Sequence, residues 1–133
     1  MRQLIAALVL ALALPAGAQD RAGAIESVIS GQMEAFLADD FARAFGFASP
    51  GIRRIFRSPD VFGRMVRQGY PMVWRPAGVD FLGLRERDGR LAQRVMVTDG
   101  SGAPHLLDYF MIRTDAGWRI DGVVIVGPPA AGV

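Results

Sequence analysis

Apolar residues recur at helical spacing in the first half of the chain and alternate with polar ones in the second, the change falling near Pro71. Ile25, Val28, Ile29, Met33, Phe36 and Leu37 form one helical stripe, with Gln32 set inside it. Asp39 and Asp40 end that helix and can cap a second, in which Phe41, Ala44, Phe45 and Ala48 repeat the period. Ser49-Pro50 stops it and starts a short turn carrying Ile52, Ile55 and Phe56. Ser58-Pro59 repeats the device and opens a third full helix with Val61, Phe62, Met65 and Val66 on one side. Gly69 is expected as its left-handed stop, with Pro71 beyond.

After Met72 turn chemistry recurs at Asp88-Gly89, Asp99-Gly100-Ser101-Gly102 and Asp115-Ala116-Gly117. The pattern predicts an antiparallel meander of four strands over 79–87, 90–98, 105–114 and 118–126, then a loose tail at 128–133. A two-residue Asp88-Gly89 loop puts Leu82 and Leu84 on one face with Gln93, Val95 and Val97. A three-residue Asp115-Ala116-Gly117 loop pairs Thr114 with Trp118 and aligns Phe110 and Ile112 with Trp118 and Ile120. The Asp99 to Pro104 loop closes in either of two registers. If the apolar faces coincide, Leu106, Phe110, Ile112 and Val124 complete the core side, and Gln93 and Asp108 point inward with them. The whole is an α+β fold, three N-terminal helices on a curved four-stranded antiparallel sheet.

The start of the chain carries a different signal. Arg2, the apolar run Leu4 to Leu14, Pro15 and the small-residue site Ala16-Gly17-Ala18 read as a secretory signal peptide over 1–18, cleaved between Ala18 and Gln19. The expected mature chain, 19–133, is one domain, exported to the periplasm or beyond, with no transmembrane segment. Cysteine is absent, which removes disulfides and thiolate chemistry. The formal net charge of +2 is too small to draw the chain globally to nucleic acid, which is not expected as a partner.

Gln32-x-x-Ala35-Phe36-x-x-Asp39-Asp40-x-x-x-Ala44-Phe45, Ala48-Ser49-Pro50, Gly69-Tyr70-Pro71 and Gly117-Trp118-Arg119-Ile120-x-Gly122-Val123 together span nearly the whole mature chain. In these runs the sequence resembles the bacterial secreted family known as domain of unknown function 4864. The resemblance implies a roll similar to the nuclear transport factor two-like and cystatin-like superfamily, with a conical pocket between helices and sheet. It implies no activity and no catalytic residues.

Asp108 is the candidate catalytic residue, because a carboxylate on an apolar face would have a raised pKa and could serve as general acid or base. The competing reading turns it outward to pair with Arg94 or Arg119. Gln32, Tyr70, Arg75, Gln93 and Trp118 are candidates for ligand binding, through amides, a hydroxyl, a guanidinium at the pocket mouth and an aromatic wall. Their structural alternative is hydrogen bonding to backbone or to one another. Arg53, Arg54, Arg57, Arg64 and Arg67 are candidates for binding an anion, or else form a solvated helix face.

His105 has no partner at metal-ligand spacing, so it reads as a solvated turn residue, and no metal or cofactor is expected. The sequence thus favours a noncatalytic exported module that binds a small apolar ligand or a partner protein. The alternatives are an isomerase or lyase using Asp108, and an envelope-associated structural protein. A homodimer through the sheet is also expected, on a second face carrying Phe81, Met96, Leu107, Tyr109, Met111, Val123 and Ile125.

Overall fold

Two serine-proline steps organise the helical half. In the computed structural model of the chain, which describes residues 16–127, Ser49 and Ser58 stand in extended backbone and accept hydrogen bonds from the amides of Ile52 at 3.2 Å and Val61 at 3.3 Å. Pro50 and Pro59 follow in the first turn, where a missing amide costs nothing. The helices are α1 (Ala16–Leu37), α2 (Phe41–Gly46), α3 (Pro50–Phe56), α4 (Pro59–Gly69) and α5 (Pro71–Trp74). Asp40 caps α2 by accepting from the Arg43 amide at 3.1 Å.

Two expectations change here. Gly69 remains helical instead of left-handed, and Pro71, read as a stop, opens the short α5. Residues 1–15 of the expected leader and the expected tail at 128–133 lie outside the described residues. Among the described residues, no helix is long and apolar enough to cross a membrane.

The strands are β1 (Gly78–Arg87), β2 (Arg90–Thr98), β3 (Pro104–Thr114) and β4 (Gly117–Gly127), paired antiparallel in chain order. Each agrees with its expected span to within one residue at either end. Asp88 at φ 53 and Gly89 at φ 74 supply the two left-handed positions that a tight hairpin needs.

The face of β3 differs from the expected one. Thr114 pairs with Gly117, not Trp118. Gly117, at φ 108, belongs to the ladder itself. Thr114 Oγ1 donates to its carbonyl at 2.8 Å and accepts from the Ala116 amide at 3.2 Å. The turn is therefore one residue shorter, and every β3 side chain changes side.

Val95 lies opposite Leu107 and Gln93 opposite Tyr109, so Leu107, Tyr109 and Met111 face the helices. Leu106, Asp108, Phe110 and Ile112 face away from them. On β4, Trp118 and Ile120 face the helices as expected. An extra residue, Asp121, opposite the step from Phe110 to Met111, then turns Val123 inward in place of Val124. A second bulge, at Leu82 and Gly83 of β1, lets both Phe81 and Leu84 pack inward.

The core joins Ile25, Ile29, Met33 and Phe36 of α1 to Phe62 and Val66 of α4, Val73 of α5 and the inner face of the sheet. Phe62 is its aromatic hub, with ring centroids 5.3 Å from Phe45, 5.8 Å from Phe56 and 5.9 Å from Phe36. The second helix, expected to reach Ala48, ends at Gly46 because the following segment pairs with the sheet. The Ile120 amide donates to the Phe47 carbonyl at 2.9 Å, and the Ser49 amide to the Ile120 carbonyl at 2.8 Å. This parallel bridge pins the start of α3 to β4.

Candidate functional site

Between the helices and the inner face of the sheet lies a cavity of about 200 Å³. Phe36, Phe56, Phe62, Met65, Val66 and Val73 form its apolar wall, with Ile120 and Val123 on the sheet side. Among the described residues, no Asp, Glu, His, Lys or Arg lines it. The residues with polar side chains in its lining are Gln32, Tyr70 and Tyr109.

Those three side chains differ in how their polar atoms are satisfied. Gln32 is buried on α1 and its Nε2 donates to the Ala44 carbonyl at 3.1 Å, which ties α1 to α2. Tyr70, at the junction of α4 and α5, donates its hydroxyl to the Val123 carbonyl at 3.1 Å. Tyr109 is 0% exposed. Its hydroxyl has no hydrogen-bond partner among the described residues. Burial, followed by the neighbouring Tyr70, pushes its pKa well above the ordinary phenol range, so the hydroxyl stays protonated. A buried donor left unpaired costs about 1–3 kcal/mol. Sequence reasoning missed Tyr109 because it was assigned to the opposite face.

Asp108 is the principal correction. It is 0% exposed but lies on the sheet face away from the cavity. Arg94 Nε and Nη2 donate to its two oxygens at 2.8 and 2.9 Å, and Arg87 Nη1 donates at 2.9 Å. Its pKa is lowered, not raised, by the hydrogen bonds from Arg94 foremost and from Arg87, which outweigh burial. Asp108 offers no acid or base to the cavity.

The remaining candidates are dispersed. Gln93 is buried on the inner face of β2, where its Nε2 donates to the Gly83 carbonyl of the β1 bulge at 3.1 Å and to the Arg94 carbonyl at 2.9 Å. It does not line the cavity. Arg75 does bind a carboxylate, that of Asp39, with Nη2 2.9 Å from both oxygens, while its Nη1 donates to the Phe36 carbonyl at 2.8 Å. Trp74 Nε1 donates to the same carboxylate at 2.9 Å, and this bond, followed by those from Arg75, lowers the Asp39 pKa.

Trp118 packs against the core and lines a separate, open depression with Arg21, Arg113 and Arg119. Arg53, Arg54 and Arg57 on α3 and its cap, and Arg64 and Arg67 on α4, are all exposed. None of the five forms an ion pair among the described residues, and Arg67 stacks over Phe41 with 5.1 Å from Cζ to the ring centroid.

His105 is not a free turn residue. Its Nε2 lies 2.8 Å from Asp99 Oδ2, and Asp99 Oδ1 accepts from the Ser101 hydroxyl and from the Ser101 and Ala103 amides. The hydrogen bond from His105 first, then those from Ser101 and Ala103, hold the Asp99 pKa far below the usual carboxylate range. The face assigned to dimerisation also changes, since Phe81, Leu107, Tyr109, Met111 and Val123 pack toward the helices. The outward face carries Arg87 and Arg94 over Asp108, and Arg90 over Phe110 at 3.9 Å.

No curated protein and no solved structure matches the chain. A family model matches residues 18–133, which takes in every helix after the start of α1, the whole sheet and all the residues lining the cavity. The chain belongs to the family described as Domain of unknown function (DUF4864).

Proposed function

We propose that this chain is a noncatalytic exported module that binds a small apolar ligand in the cavity between its helices and its sheet. The observation that carries the reading is the cavity itself, walled by Phe36, Phe56, Phe62 and Met65 and lined by few polar residues, Gln32 and Tyr70 among them. Such chambers, with a few placed polar groups, are the usual form of small-molecule sites. The noncatalytic part rests on the lining, which among the described residues contains no carboxylate, imidazole, guanidinium or amine. Export rests on the leader-like start of the sequence.

The test is native mass spectrometry of the protein purified from its own host, with Val66→Phe as control. A bound small molecule is expected on the natural chain and its loss on the variant, whose added ring would occupy the chamber. Finding the natural chain and the variant both bare, while added apolar compounds also fail to bind, would overturn the reading. N-terminal sequencing of the envelope-fraction protein is expected to begin at Gln19, and an intact Met1 in the mature pool would overturn export.

A further inference from the structure

The chain pairs several of its arginines and leaves one cluster of them unpaired. Arg75 is held by Asp39, Arg87 and Arg94 by Asp108, and Arg90 by Asp121. The arginines of α3, its cap and α4 stand exposed without an acidic partner among the described residues. Residues 50–67 hold five arginines against one acid, Asp60, a formal +4 in a chain whose total is +2, so the other residues together are negative. We propose that the α3–α4 surface docks the protein on an anionic phospholipid bilayer, its guanidinium groups on lipid phosphates and Ile55 and Val61 in the headgroup layer.

The two helices build this surface by what they bury. Ile52 and Phe56 of α3 and Met65 and Val66 of α4 line the cavity, and Phe56 meets Phe62 with ring centroids 5.8 Å apart. At about 100° per residue, Arg53, Arg54 and Ile55 fall on the other side of α3, and Val61 and Arg64 on the solvent side of α4; all five are exposed. The joint between the helices is tight, since the Arg57 amide donates to the Arg53 carbonyl and the Ser58 amide to the Phe56 carbonyl, both at 2.8 Å. Arg57 stands there at φ 69, a region that favours glycine, so its guanidinium is kept at the joint against a backbone preference.

The apolar members of the patch choose the partner. Ile55 is 69% exposed and Val61 41%, both set among arginines. A bilayer interface accepts both kinds of side chain: phosphates take guanidinium forks, and the boundary below the headgroups takes aliphatic groups. A nucleic acid would meet the charge but gives the aliphatic groups nothing, and the aromatic residues of this segment, Phe56 and Phe62, are packed on the core and not free to stack on bases. The patch lies on the outer side of the helices that wall the cavity, so the proposal does not depend on what the cavity holds.

The test is flotation of the protein, purified from its own host, with vesicles of phosphatidylcholine alone or of equal parts phosphatidylcholine and phosphatidylglycerol. Binding is expected to the anionic vesicles only and to fall as salt rises. Arg53→Gln, Arg54→Gln and Arg57→Gln are each expected to weaken it about fivefold, whereas Arg85→Gln, at an exposed position of β1, leaves it unchanged. Because the chain has no cysteine, Ile55→Cys takes a single polarity-sensitive dye, whose emission is expected to move to the blue on the anionic vesicles. A DNA duplex at equal phosphate concentration is expected to bind more weakly than these vesicles. Equal binding to neutral vesicles, no binding to anionic ones, or a loss with Arg85→Gln as large as with Arg54→Gln overturns the proposal. So does an unmoved dye on bound vesicles, or DNA bound as tightly as lipid, which would make the patch a general polyanion surface.

Discussion

Arg94 holds Asp108 with two parallel hydrogen bonds across neighbouring strands, Nε to Oδ1 at 2.8 Å and Nη2 to Oδ2 at 2.9 Å, on the side of the sheet that carries no helix. The pair makes acid the condition that loosens the fold. Asp108 titrates below the ordinary aspartate value of about 3.9. Its contribution is therefore complete above that value and is lost as pH falls through the lower folded-state pKa, because the unfolded chain takes up protons first. Asp39 and Asp99, also lowered, act in the same direction. Thermal melts should be flat from pH 7 to about 5 and fall steeply below about 4. Asp108→Asn is expected to cost about 2–3 kcal/mol at pH 7, by leaving Arg94 and Arg87 without their anion, and to flatten the acid limb. A wild-type midpoint that does not move between pH 5 and pH 2 would count against this account.

Ser49 and Ser58 cap helices in the same manner but are not equivalent. Ser49 is buried and also donates its hydroxyl to Asp121 at 2.7 Å, whereas Ser58 only caps. Ser58→Ala should cost about 1 kcal/mol and Ser49→Ala about 2 kcal/mol. Denaturant titration of the two variants decides it, and equal losses would remove the link between the cap and the β4 bulge.

Tyr109→Phe should stabilise the protein by about 1 kcal/mol, since it removes a buried hydroxyl that has no hydrogen-bond partner among the described residues and leaves the ring in place. A lower melting temperature for the variant would mean that the hydroxyl is satisfied in the unliganded protein.

Gly63 on α4 is buried against Phe41, and a Cβ there would come within 2.6 Å of Phe41 Cδ1 and 2.8 Å of Cγ. Contacts so near the root of the ring cannot be relieved by turning it. Gly63→Ala is expected to cost about 1–3 kcal/mol through this overpacking, and Phe41→Leu in the same chain to recover part of the loss. A Gly63→Ala chain as stable as the parent would show that α2 and α4 slide freely past one another.

The strand limits were legible because Asp-Gly and Gly-containing turns are local chemistry, set by which residues tolerate positive φ. The face of β3 was not, because it depends on whether Gly117 is counted in the turn or in the ladder. Both alternations along β3 look apolar: Leu107, Tyr109 and Met111 in one phase, Leu106, Phe110 and Ile112 in the other. The decisive signal was Asp108, which shares the second phase and sits opposite Arg94, the pairing of an outer face. The inward position of Tyr109 was hidden by the same one-residue shift. Gln32 and Tyr70 could be picked from the sequence as wall residues. Gln93 could not be told from them, since its true task, satisfying the Gly83 carbonyl, depends on a bulge that no local pattern announces.

The short parallel pairing of Phe47 to Ser49 with Ile120 has a meaning for the borders of the sheet. A border strand with open amides and carbonyls invites a strand from another molecule. Along β4 that invitation is withdrawn, first by Phe47 to Ser49 and then by the Tyr70 hydroxyl on the Val123 carbonyl. Along β1 the bulge at Leu82 and Gly83 interrupts the regular spacing, and Arg85, Glu86 and Arg87 follow it with charge. Among the described residues, the open length of β4 is thereby confined to its last few residues, where Ile125 and Val126 are exposed, so the architecture narrows the border on which another copy could add a strand.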